Sequence, residues 1–259
     1  MSREGRVWRD ALTIAGVLLL FAGFALTPFR PSKFGDRNFH VEARERLCDP
    51  WGGLFRGVWA LQGAGTHILL HRPLSLRGSR LSGGAYWRAA VVWSALCVCL
   101  AMVLLRRTGE ELGGTRAGWV TLVLALAPPF VVYYSFGILS EPPAFVGAVL
   151  AGYGWARWLR RGERPYLTGS WWIAWAGVAI LLLCRPNALF LLAAAALCAL
   201  ALLRSAAPAR RRAAVFILTG LAVPLAASLA SILLVRVLGG GWQERNLARR
   251  DAGPVAVSG

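Results

Sequence analysis

Residues 171–203 form one apolar stretch interrupted only by Arg185-Pro186-Asn187. As a single helix the stretch would run about 50 Å, well beyond the roughly 30 Å hydrocarbon core of a bilayer. As two full crossings it is somewhat short. A hairpin with Arg185 at its apex, slightly below one membrane surface, accommodates the length. A guanidinium at that depth must line a wet cavity or pair with an acid. Pro186 suits the first turn of the returning helix, where its missing N–H is not needed.

The rest of the chain repeats this apolar pattern. Seven apolar segments are read, at 10–29, 86–105, 117–136, 142–158, 171–184, 187–203 and 213–238. Hydrophobic residues make up 57% of the 259-residue chain, and mean hydropathy is +0.54. An ordinary soluble domain is less apolar. The expected fold is all-α: a polytopic membrane protein of about seven transmembrane helices, forming one membrane domain over residues 1–259 with a long structured first outer loop at 30–85. No small-residue cleavage site follows the first apolar run, so no cleavable leader is expected.

Charge orients these segments. MSREGRVWR, RRTGEELGGTR, RWLRRGERPYLTGS and RSAAPARRR together hold 14 arginines. They alternate with loop 30–85, the turn at 137–141, the turn at Arg185 and the tail from Gly239. The positive-inside rule then places the N-terminus and the arginine clusters in the cytoplasm of a multi-pass inner or plasma membrane protein. Loop 30–85 is basic too, but long loops count less. The formal net charge is +17. In a soluble chain that balance suggests nucleic acid. Here the arginines sit at the ends of apolar runs, so anionic membrane lipids are the expected partners and nucleic acid is not.

The turn Ser140-Glu141-Pro142-Pro143 has helix-start chemistry: a capping serine, then two prolines in the first turn. Glu141 sits at the positive end of that helix dipole, which favours its charged form. It is either a cap-like stabiliser or a cavity acid that orients Arg185 or the acceptor. Arg185 is either a snorkelling interface residue or a phosphate ligand, because a guanidinium offers phosphate paired donors. Pro128-Pro129 and Pro224 are expected to kink their helices. Within loop 30–85, residues 38–47 are compatible with a short amphipathic helix, and 54–61 with a helix lying on the membrane surface. His40, His67 and His71 do not have metal-site spacing. Cys97, Cys99, Cys184 and Cys198 lie in apolar runs as packing residues, and Cys48 stands alone in a loop. Trp171, Trp172 and Trp175 fit an aromatic interface belt.

Four segments resemble those of the GT-C superfamily of integral-membrane glycosyltransferases, the group that includes dolichyl-phosphate-mannose protein mannosyltransferases and the lipid A aminoarabinose transferase. They are FGDRNFHVEA after the first helix, LAPPFVVYYSFGILSEPPAFVGAVLAGYGWARWLRR, LLLCRPNALFLL and the tail RNLARRDAGPVAVSG. The resemblance spans nearly the whole chain, through degenerate motifs. It implies an inverting transfer of a sugar from a polyprenyl-phosphate donor to an acceptor at the outer membrane face. It also implies that Asp36 is the general base and Glu141 a second catalytic acid. The donor phosphate would be held by Arg185, Arg245 and Arg249. The alternatives are a solvated loop acid for Asp36, beside Lys33 and Arg37, and ordinary juxtamembrane charge for Arg245 and Arg249. Many members carry a second acid near the Asp36 position. Here Arg37 follows, so no cofactor is expected and the departure argues against a divalent metal. The family is usually longer, and this chain stops within the tail motif, as a short or truncated member would. A truncated chain need not be active. A competing class is a non-catalytic membrane protein that binds or transports a lipid-linked intermediate. Transporters are expected to pair broken helices at mid-bilayer, whereas the polar residues here gather at the outer ends.

Overall fold

The computed structural model describes residues 3–25, 83–127, 141–185, 188–205 and 207–239. All regular structure among them is helical. Helix α1 is Arg3–Ala25. Helix α2 is Gly83–Leu126, broken at Gly114, where φ is 80° and ψ is −174°. Then come α3 (Glu141–Arg161), α4 (Gly169–Cys184), α5 (Leu189–Leu203), α6 (Pro208–Gly220) and α7 (Ala222–Gly239).

The two arms of α2 fold back on each other. Glycine has no steric penalty at the positive φ of Gly114. A Cβ on Gly109 would lie 2.8 Å from the Ala117 carbonyl oxygen, and one on Gly118 would lie 2.7 Å from that of Arg106. The arms are thus in backbone contact, a separation that only glycine permits. The arginine-rich segment 106–116, expected as a loop, is helical apart from this one residue. Its Arg, Glu and Leu residues are good helix formers, and Arg106 pairs with Glu110 one turn on.

Helices α3 and α4 run antiparallel and pack more closely still. A Cβ on Gly154 would lie 2.3 Å from the Ala174 nitrogen, and one on Gly177 would lie 2.4 Å from the Ala151 nitrogen. Small residues at such crossings let backbones approach and gain van der Waals contact where lipid gives helices no hydrophobic reason to associate. Gly177→Leu is expected to destabilise the pair by at least about 1–3 kcal/mol, read as a fall in the thermal midpoint in detergent. Gly152→Leu is the control, since nothing lies within 4 Å of its Cβ position. Equal midpoints for the two variants would contradict the close crossing.

Apolar clusters among the described residues result from this packing. Val17, Phe21, Val98, Met102 and Leu122 join α1 to α2. Trp158, Trp171, Trp175, Leu182, Leu192 and Phe216 join α3, α4, α5 and α6. Ala101, Leu104 and Val149 link α2 to α3. Trp171 and Trp175 are therefore core residues and do not belong to an interface belt: they are 4% and 5% exposed. Their indole N–H groups donate to Thr219 Oγ1 and the Phe216 carbonyl oxygen, each at 3.2 Å. Gly220 makes the room, because a Cβ there would fall 1.8 Å from the Trp175 ring. Trp172 is half exposed. Cys97, Cys99 and Cys184 are buried as expected, while Cys198 is exposed.

The last apolar run is divided at Leu221, between α6 and α7. Pro224 accounts for the break: it lacks the N–H for the carbonyl four residues back, and its ring crowds that carbonyl. The kink expected at Pro128-Pro129 lies outside the described residues. Two helical stretches, Val91–Leu126 and Pro208–Ala230, are long and apolar enough to cross a membrane, with mean hydropathy 1.7 and 2.1. Helices α4 and α5 are apolar but shorter. Large apolar side chains also face outward, including Leu19, Phe190, Leu191 and Leu197. In α5 only Leu192 and Ala199 are buried.

Candidate functional site

Polar residues gather at both ends of the helix bundle. At one end, Glu141 begins α3 and Arg185 caps α4, its backbone N–H donating to the Leu181 carbonyl oxygen at 2.8 Å. The helix register relates the two. Gly154 meets Ala174, Gly177 meets Ala151 and Gly147 meets Leu181. Continued at the same step, Arg185 falls opposite residue 143, within a helical turn of Glu141. Each charge also sits where its helix dipole favours it, the acid at an N-terminus and the cation at a C-terminus. Pro142 and Pro143 occupy the first turn of α3, as the turn chemistry predicts. Arg185 is half-buried. Asp36, Arg245 and Arg249 lie outside the described residues. So do Ser140, Cys48, the three histidines and the helices expected at 38–47 and 54–61.

The other end collects the arginine segments. Arg106 is 0% exposed. Its guanidinium donates to Asp10 on α1 and to Glu110 on its own helix. It also lies 5.4 Å from the centre of the Trp119 ring on the second arm of α2, within cation–π range. Arg107 donates to both oxygens of Asp10, with its Nε at 3.2 Å from Oδ1. Arg9 Nε lies 3.1 Å from Glu110 Oε1. Arg160, near the end of α3, pairs with Glu111 at 2.8 Å. The nearest neighbour that a Cβ on Gly162 would meet is Arg212 of α6, at 4.0 Å. The N-terminal segment, the α2 turn, the end of α3 and the start of α6 thus share one end of the molecule.

This ionic cluster was not singled out from the sequence, where the same residues read only as topology signals. Asp10 was the available sign, as an acid at the very start of an apolar run. Beside the cluster is a cavity of 690 Å³ lined by Arg6, Arg107, Glu110, Glu111, Tyr153 and Arg160, with Gly114 and Thr115 at the helical turn. Among the described residues, no group of three or more His, Cys, Asp or Glu side chains is placed to hold a metal. No family model, curated protein or solved structure matches the chain.

Proposed function

We propose that the protein is a multi-pass membrane glycosyltransferase of GT-C type, with its N-terminus and arginine segments in the cytoplasm. It transfers a sugar from a polyprenyl-phosphate donor to an acceptor at the outer face. The observation that supports this reading is the α3–α4 register, which, continued to the helix ends, puts the backbone position of Arg185 within a helical turn of that of Glu141, at the end opposite the arginine segments. An acid and a guanidinium there suit an acceptor and a lipid phosphate. The sequence likeness at SFGILSEPP and LLLCRPNALF, which contain these two residues, supports the same chemistry. In this reading the donor's lipid tail stays between helices, its phosphate meets Arg185, and Asp36 takes the acceptor's proton as the glycosidic bond forms.

Orientation is tested with single cysteines in a chain whose native cysteines have been replaced. An impermeant thiol reagent outside should label positions 50–80 and leave 108–114 and 206–210 unlabelled. The reverse pattern would invert the assignment. Donor binding is tested by native mass measurement of polyprenyl phosphate co-purified with the full chain. Arg185→Leu should retain at least about tenfold less lipid, since charged hydrogen bonds to phosphate are lost. Arg185→Lys should fall between, because a lysine cannot make the planar two-donor contact. Equal lipid in all three proteins would remove Arg185 from the site. Lipid binding without any sugar transfer would favour a carrier-binding or transport protein.

A further inference from the structure

We propose that the cavity at the arginine end binds a phosphate group, as carried by an anionic lipid headgroup or by free phosphate. This inference concerns the end of the bundle opposite Glu141 and Arg185 and does not depend on the glycosyltransferase reading. The cavity volume of 690 Å³ is within the range of small-ligand sites. Three elements each aim an arginine at it: Arg6 from α1, Arg107 from α2 and Arg160 from α3. The Tyr153 and Thr115 hydroxyls add uncharged donors.

Charge decides the sign of the ligand. Around the cavity and the adjoining cluster stand five arginines (Arg6, Arg9, Arg106, Arg107 and Arg160) and three acids (Asp10, Glu110 and Glu111), an excess of two positive charges. The acids are already engaged: Asp10 by Arg106 and Arg107, Glu110 by Arg9 and Arg106, Glu111 by Arg160. A cation entering the cavity would have to compete with those guanidiniums. An anion would not. Arg6 is exposed and forms no ion pair among the described residues. The Arg160–Glu111 pair is the exposed one, with the Arg160 side chain 60% accessible. Such a pair is weak, so Arg160 can exchange a carboxylate for a doubly charged phosphate. Arg107, held by Asp10, supplies fixed positive charge behind them. The turn at Gly114 also points the start of the second α2 arm, at Thr115, into the same cavity, and a helix N-terminus favours an anion.

The test uses the purified full chain in detergent, titrated with dihexanoyl phosphatidic acid and read by native mass spectrometry, with inorganic phosphate as competitor. The Arg6→Gln/Arg160→Gln double variant should bind the short lipid about tenfold more weakly or worse, and Arg6→Gln alone should show a smaller loss. Arg204→Gln, on the C-cap of α5 and outside the cavity lining, should bind like the parent. Arg6 and Arg160 are both exposed, so the thermal midpoint should change little, which separates lost binding from lost fold. If inorganic phosphate displaces the lipid at matching concentration and loses affinity in the same variants, the phosphate group is the ligand and the source is free phosphate. If phosphate does not compete, the headgroup is the ligand. Binding unchanged in the double variant, or binding of neither probe to the parent, overturns the proposal.

Discussion

Asp10→Ala is expected to destabilise the protein by about 3–5 kcal/mol, the usual penalty for removing one partner of a buried ion pair. Its carboxylate serves two arginines, one of them 0% exposed. Without it, Glu110 alone serves Arg9 and Arg106, and Arg107 loses its carboxylate partner. The mirror change should be much milder. In Arg106→Met, Asp10 keeps Arg107 and Glu110 keeps Arg9, so no buried acid is orphaned. An apolar chain of similar length then fills the space beside Trp119. Replacing buried ions by packed apolar groups is often neutral. The double variant should therefore recover most of the loss caused by Asp10→Ala. Unfolding free energies in mixed detergent measure all three, and an Arg106→Met penalty larger than that of Asp10→Ala would refute the inventory of charges.

The second large effect concerns catalysis. On the proposed glycosyltransferase reading, Asp36→Asn is expected to lower sugar transfer by about 10²–10⁴-fold, the range for losing a general base. Asparagine keeps the shape of the side chain and cannot accept the acceptor's proton. Expression in the membrane and retention of polyprenyl phosphate should be unaffected, because the proposed phosphate ligand is Arg185. Full transfer activity in Asp36→Asn would remove Asp36 from the chemistry. Loss of bound lipid along with transfer would point to a structural role for the acid.

Helix positions were legible because apolar runs of this length leave few alternatives to helix. The division of 171–203 at Arg185 and that of the last run near Pro224 followed from chemistry visible in the sequence. What the sequence hid was the interior. Helix α4 is apolar on every side, so nothing in its periodicity tells buried Trp171 from half-exposed Trp172. The burial of Trp175 depends on Gly220, 45 positions later in the numbering. The arginine run 106–116 reads as a polar loop until its acids are seen to find partners on α1 and α3. Such pairing is a property of the packed helices and has no local signature. Of the candidate site, the placement of Glu141 at a helix start was visible, as was that of Arg185 at a helix end. The segment carrying Asp36 lies outside the described residues.

The salt link between Asp10 and Arg106 spans 96 positions of chain. A ribosome needs on the order of 5–20 s to add that much polypeptide. Through that interval α1 is already made and its acid has no arginine from α2 to meet. The first helix must therefore wait with Asp10 lacking its partners on α2. It can dock only once the first arm of α2 arrives. The cluster thus cannot form before Arg106 has been made, and a nascent chain stalled short of it would hold α1 without the helix it packs on.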